Sequence, residues 1–167
     1  MGAEEHREKA PKSIVYAIIT VSDTRTEDDD HFGKAISEVM SAAGHRLARK
    51  GIVKDDVIEI QGQLRELIED PQIQAVILNG GTGIAKRDVT LEAVSHFEEK
   101  SIPGFGELFR MLSFKEIGSA AQMSRATAFL TEGKLVFCLP GSEKAVRLAV
   151  RELIAPEIGH MVWEARR

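Results

Sequence analysis

The segment GGTGIAKRDVT, Gly80 to Thr90, places three glycines, two threonines, two cations and a carboxylate in one short run. Gly80, Gly81, Thr82 and Gly83 offer successive backbone N–H groups with little Cβ obstruction, the kind of nest that binds phosphate or carboxylate. Lys86 and Arg87 can answer phosphate charge, and Asp88 is a hard oxygen ligand suited to Mg2+. A plainer reading stands beside this one. A tight strand-to-helix turn also needs glycine, and Arg87 and Asp88 would then face solvent, with Asp88 only capping a helix.

Two familiar phosphate motifs do not fit. A P-loop requires a GK[ST] triplet, but Lys86 follows Ala85 and precedes Arg87. A dinucleotide fingerprint accepts Gly81 and Gly83 but needs glycine or alanine where Lys86 stands. Other chemistry is sparse. Cys138 is the only cysteine, which excludes an internal disulfide and a cysteine-rich zinc site, and between Phe137 and Leu139 it reads as a buried small hydrophobe. His31, His45, His96 and His160 show no pair at metal-ligand spacing and read as surface or packing residues. Met111, Met123 and Trp163 read as core or subunit-contact residues.

The elements that must position the loop follow from local pattern. Ser13 to Val21 is a β-rich run ending at Ser22-Asp23-Thr24, and Ile73 to Leu78 is another that empties into the glycine loop. A third strand is expected around Leu47 to Val53. Phe32, Ile36, Val39, Met40 and Ala43 form a helical stripe closed by Gly44, behind the acidic cluster Glu27 to Asp30, which suits a helix dipole. Asp55 or Asp56 can cap a helix carrying Val57, Ile60, Leu64, Leu67 and Ile68, which Pro71 stops. Thr90 is expected to cap a helix with Leu91, Val94 and Phe97, the unit ending at Pro103-Gly104. A helix then spans Phe105 to Ile117. Ala126 to Leu130 and Lys134 to Leu139 flank Thr131-Glu132-Gly133 as a hairpin, Pro140-Gly141-Ser142 opens a helix through Ile154, and Pro156 begins the last helix.

Strands alternating with helices imply a three-layer α/β sandwich with a mostly parallel mixed sheet and one antiparallel strand. Ligands in such sheets collect at the carboxyl ends of the strands. Three exits, Ser22-Asp23-Thr24, Gly80 to Gly83 and Pro140-Gly141-Ser142, are expected to converge on one crevice.

The bulk numbers bound the function. With 167 residues, 43% hydrophobic and 29% charged, the chain suits one domain over residues 13–167 behind a loose polar tail at 1–12. A net charge of -4 supplies no general field for nucleic acid or anionic lipid. No apolar run approaches the roughly 20 residues of a membrane span, and the first dozen residues lack a signal core, so a cytoplasmic address is expected.

Four segments together carry a family resemblance. GGTGIAKRDVT, with TVSDTRT at Thr20 to Thr26, MSRA at Met123 to Ala126 and LPGSEKA at Leu139 to Ala145, resembles the MoaB/MogA family of molybdenum cofactor biosynthesis. Ile102 to Gly118 looks more like the MoaB branch, and the likeness covers the chain from about Ile14 to the last helix. The resemblance implies a homotrimer or hexamer and an Mg2+- and ATP-dependent adenylylation of molybdopterin, with a molybdenum-inserting enzyme as downstream partner. It implies Asp55 and Asp88 as catalytic, Mg2+-associated carboxylates. It also implies nucleotide- or pterin-contacting roles for Ser22, Asp23, Gly80, Gly81, Thr82, Gly83, Lys86, Arg87, Thr90, Ser124, Arg125, Pro140, Gly141 and Ser142. Two departures stand out: the family's Ser-Gly pair near the first helix is replaced by Asp28-Asp29-Asp30-His31-Phe32-Gly33, and RDVT is followed by Leu91 rather than proline.

Overall fold

The computed structural model describes residues 3–167. Its strands are β1 (Val15–Val21), β2 (Arg46–Val53), β3 (Ala75–Asn79), β4 (Lys100–Ser101), β5 (Thr127–Thr131) and β6 (Lys134–Leu139). The helices are α1 (Ala3–Lys9), α2 (His31–Ala42), α3 (Val57–Glu69), α4 (Thr90–Val94), α5 (Pro103–Ile117), α6 (Glu143–Ala149) and α7 (Ala155–Ala165). The strands form one six-stranded sheet in the order β2-β1-β3-β6-β5-β4. All neighbours among β2, β1, β3 and β6 pair in parallel, and β5 runs antiparallel to both β6 and β4.

Both faces of the central strands are buried, so their side chains alternate between two cores. Tyr16, Ile18, Ala75, Ile77, Leu135 and Phe137 pack with α2, α5, α6 and α7 on one face. Ala17, Ile19, Val76, Leu78, Val136 and Cys138 pack with α3 and α4 on the other. A parallel strand covered on both sides reads as a continuous apolar run, which is why β1 and β3 are visible in sequence. Burial pushes the Cys138 thiol up to about 12, in keeping with an inert core position.

Several boundaries differ from the local pattern. Residues 3–9, within the expected loose tail, form α1, which lies on α7 and joins it through an Arg7–Glu157 ion pair. The polar composition of that segment hid a helix whose support comes from 150 residues away in the chain. Pro103 does not end the preceding unit but opens α5, where its missing N–H costs nothing. The two-residue β4 between them has no sequence signature, because only its pairing with Leu130 and Phe129 of β5 makes it a strand. The helix from Ser142 does not end at Ile154. It passes through a π-helical turn at Val150–Ile154 straight into α7, with the Ala155 N–H bonded to the Val150 carbonyl. Pro156 offers no N–H to the preceding turn, and the widened turn is a common way to absorb that loss. The hairpin turn falls where expected, with Glu132 and Gly133 both in the left-handed region at φ 48° and 74°.

Among the described residues no helix is long and apolar enough to cross a membrane.

Candidate functional site

The parallel strands β1, β3 and β6 are sheet neighbours, so their carboxyl ends lie along one edge. The order also reverses at β1, whose next strands in sequence lie on opposite sides of it, and such a switch point leaves a crevice. Here the crevice has a volume of about 490 Å³ and is bordered by Ser22 and Asp23 after β1, Gly80 to Gly83 after β3, and Pro140 and Gly141 after β6. The three predicted exits do converge.

Beneath it lies a buried polar tier. Thr20 and Asn79 are register partners at the ends of β1 and β3. The Asn79 amide donates to Thr20 Oγ1 at 3.0 Å, and the Thr20 hydroxyl donates to Asp30 Oδ2 at 2.8 Å. Asp30 Oδ1 in turn accepts the Gly33 N–H at 2.9 Å and so caps α2. Asp30 is therefore a buried anchor joining α2 to the sheet, not just one more acid of a surface cluster. Gly33 leaves room for this cap, since a Cβ there would stand 2.3 Å from Asp30 Oδ2 and the carboxylate would have to shift.

The glycine loop is held from below and from the side. Gly80 and Gly81 lie at φ 93° and 64°, and a Cβ on Gly81 would meet Thr90 Oγ1 at 2.3 Å and Asp55 Oδ1 at 3.0 Å. Thr90 does not cap α4 as expected. It is the first helical residue, behind Val89, and is fully buried. Its hydroxyl donates to the Gly80 carbonyl at 2.8 Å and its N–H to the Gly81 carbonyl at 3.0 Å. With those two carbonyls tied beneath, the loop is held in an unusual conformation open to the crevice.

Arg125 supplies the side support. Its Nε donates to the carbonyls of Thr82 at 3.3 Å and Gly83 at 3.0 Å, and Nη2 donates to the Asp88 carbonyl at 3.3 Å. Glu92 accepts from both terminal nitrogens, at 2.5 and 3.4 Å, and that bonding holds the Glu92 carboxyl below its usual range. Arg125 does not border the crevice; its donors are spent on the loop's own carbonyls. Arg110 braces the next residues in the same way, donating to the carbonyls of Ser124 and Ala126 at 3.3 and 3.1 Å. Ser124 itself borders the crevice beside Met123.

Three carboxylates face the cavity, from Asp23, Asp55 and Asp88. Asp56 is the residue that caps α3, accepting the Glu59 N–H at 3.0 Å, which leaves the Asp55 side chain uncommitted. The Asp55 N–H donates to Asp23 Oδ1 at 3.0 Å. Desolvation pushes the Asp55 carboxyl above the usual aspartate range, and the negative charges of Asp23 and Asp88 push in the same direction, with Arg87 opposing them. Asp88 Oδ2 accepts the Ala85 N–H at 2.9 Å, so this carboxylate shapes its own loop as well as bordering the crevice. Ser22 Oγ accepts the N–H groups of Thr24 and Arg25 at 3.3 and 3.2 Å and forms the turn after β1.

Not every nominated residue arrives. Lys86 is exposed and does not border the crevice, so of the loop's two cations only Arg87 does. Ser142 caps α6 by accepting the Ala145 N–H at 3.2 Å and likewise lies outside the lining. Conversely, Arg25 and Phe32 border the cavity, though neither is among the residues expected there from sequence. A cation directly after the polar strand exit Ser22-Asp23-Thr24 is a readable signal for Arg25. Glu92 had none, because its role exists only through Arg125.

Among the described residues no group of three or more His, Cys, Asp or Glu side chains is arranged to hold a metal ion by itself. Mg2+ is seldom held that way; one or two carboxylates plus substrate phosphates and water are its usual set. Asp55 and Asp88 fit that role, since mutual repulsion and desolvation favour a cation between them.

Comparison with known proteins agrees with this geometry. Residues 17–160 match the family described as "Probable molybdopterin binding domain". The chain is 49% identical over 165 residues to "Molybdenum cofactor biosynthesis protein B" of Halalkalibacterium halodurans, covering 98% of this chain and 97% of the relative. A crystal structure of a molybdenum cofactor biosynthesis protein B superposes with a TM-score of 0.91 at 49% identity, covering 95% of this chain and 99% of that one. The tungsten cofactor synthesizing protein MoaB from Pyrococcus furiosus gives a TM-score of 0.85 at 37% identity, with 95% and 100% covered. With fold, crevice and sequence in agreement along nearly its whole length, the chain belongs to the MoaB/MogA family of molybdopterin-binding domains.

Proposed function

We propose that the protein acts in molybdenum cofactor biosynthesis as a molybdopterin adenylyltransferase, with ATP as co-substrate. One observation carries this reading: Asp55 and Asp88 face the same crevice as the glycine loop, which sets carboxylates able to take a cation beside a loop able to take an anion. A terminal phosphate oxygen of the pterin would attack the α-phosphorus of ATP, the bond to the β-phosphate's bridging oxygen would break, and pyrophosphate would leave. Such a step joins two anions, so positioning and charge neutralisation account for most of the catalysis. The glycine-loop amides would hold phosphoryl oxygens, and Arg87 would offset charge. Asp55 and Asp88 would hold Mg2+, which supplies charge neutralisation and orientation of the polyphosphate when bound.

Self-association as a trimer or hexamer belongs to the same reading. Leu108, Met111, Phe114 and Ile117 recur every third residue along α5 and are about half exposed or more, an apolar stripe that winds partway round the helix and is of the kind that marks subunit contacts. A molybdenum-inserting enzyme would take the adenylylated product.

The test is the purified protein with molybdopterin, ATP and Mg2+, read as adenylylated pterin and pyrophosphate released. Wild-type turnover lost in Asp88→Asn is the expected result. The Ala85–Asp88 bond favours a second reading, a non-catalytic pterin-binding protein in which Asp88 only shapes the loop. Pterin binding without any ATP turnover in the folded wild type would select it.

A further inference from the structure

Phosphate-handling sites need cations held in place, and the described residues put two of them on the crevice, Arg87 and Arg25. Arg87 is exposed on the glycine loop. Arg25 is half-buried on the opposite bank, after β1, and is fixed at three points. Its backbone N–H donates to Ser22 Oγ, its Nη1 donates to the Asp29 carbonyl at 2.9 Å, and its guanidinium carbon lies 4.1 Å from the centre of the Phe32 ring. Phe32 stands in the first turn of α2, which Asp30 anchors to the sheet, so the platform under Arg25 is itself tied to the crevice floor.

This arrangement differs from that of Arg125, whose donors are consumed by the protein. A guanidinium has five donors in a planar fork. In Arg25 one of them meets a backbone carbonyl, one face is covered by an aromatic ring, and the side chain still borders the cavity. Stacking fixes the plane of the fork and removes water from one face, which lowers the cost of committing the remaining donors to an anion.

We propose that Arg25, held flat on Phe32, is a phosphate-binding residue of this crevice, gripping phosphoryl oxygens from the β1 side while Arg87 lies on the glycine-loop side. The assignment rests on the polyphosphate reading given above and names a contact beyond it. The ligand class is an inorganic or nucleoside polyphosphate, recognised by charge and by the two-pronged geometry of the fork.

Calorimetric titration of the full-length protein with inorganic pyrophosphate, and separately with ATP and Mg2+, tests it. Arg25→Gln is expected to weaken both ligands about tenfold, the usual scale for one charge-assisted contact. Arg25→Lys keeps the charge but not the fork and should fall between the two. Phe32→Leu, which leaves the cation but removes its platform, should weaken both ligands by a smaller factor. Arg49→Gln, an equal change of charge on β2, should leave binding unchanged. Arg25→Gln and Arg25→Lys both binding as tightly as wild type would overturn the assignment. Weakened ATP with unchanged pyrophosphate would overturn the assignment to a polyphosphate, the contact then lying on the nucleoside monophosphate part of ATP. A wild type that binds neither ligand would overturn the adenylyl-transfer reading and this contact with it, an outcome distinct from the other two.

Discussion

Arg125 Nε donates to the Gly83 carbonyl at 3.0 Å across 42 positions of chain, and through this contact the segment before β5 holds the loop after β3. The same guanidinium reaches Thr82 and Asp88 and is backed by Glu92. Its donors to these carbonyls give it a structural role, the orientation of the loop.

Replacing Arg125 should therefore reduce catalysis more than it reduces stability. Arg125→Lys cannot reproduce a fork spread over three carbonyls and a carboxylate, and is expected to lower kcat/KM by about 10- to 100-fold, or roughly 1.4–2.7 kcal/mol of transition-state positioning. Glu92→Gln should cost less, because the partner is exposed and its pairing screened. Amide hydrogen exchange should accelerate at residues 82–88 in both variants without ligand. Unchanged exchange there would refute the bracing role.

The Thr90 hydroxyl is the loop's support from below. Thr90→Val keeps the shape but leaves the buried Gly80 carbonyl without this donor, at about 1–3 kcal/mol. Thr90→Ser should retain most of the stability. Gly81→Ala combines a left-handed backbone with a collision against Thr90 Oγ1, so it should destabilise by at least about 2 kcal/mol. Urea unfolding at neutral pH checks all three, and a Gly81→Ala variant as stable as wild type would contradict the close approach.

Asp55 gives a pH dependence with two opposite signs. Its carboxyl is raised above the usual aspartate range, chiefly by desolvation, with Asp23 and Asp88 adding to it. A folded value above the unfolded one favours the protonated form. That stabilisation is complete below the unfolded value of about 3.9 and is lost as pH rises through the raised value. At neutral pH the ionised group is thus a cost to the ligand-free fold, and Asp55→Asn should raise Tm by about 1–3 °C while abolishing the adenylylation proposed above. Mg2+-dependent ATP binding should show the reverse trend, weakening in the wild type as acid protonates Asp55, at a higher pH than an ordinary aspartate would require. Melting and ATP titrations across about pH 4–8 test both signs. A Tm for Asp55→Asn below wild type at neutral pH would disprove the first.

The α5 stripe should respond to charge. Phe114 is 61% exposed in the single chain, so Phe114→Glu costs the isolated fold little yet places a carboxylate in any contact made through that face. Light scattering should show dissociation to smaller species with the circular dichroism spectrum retained. Unchanged mass would exclude this face as the subunit contact.

Local pattern alone determined most of the architecture. The apolar runs of β1 and β3, the spacing of Ile60, Leu64, Leu67 and Ile68 on α3, and the Glu132-Gly133 turn are governed by neighbours within a few positions, and all appear where expected. So does the meeting of three strand exits, because parallel strands place their carboxyl ends on one edge. Tertiary structure decided which charged groups serve the crevice. Asp56 rather than Asp55 caps α3, Lys86 stays outside the lining, Arg125 turns to the loop's carbonyls, and Arg25 settles on Phe32. Each outcome depends on the angle at which one long side chain meets a segment packed from elsewhere, which spacing along the chain does not encode. The same holds for β4 and α1, whose short or polar sequences gain order only from partners distant in the chain.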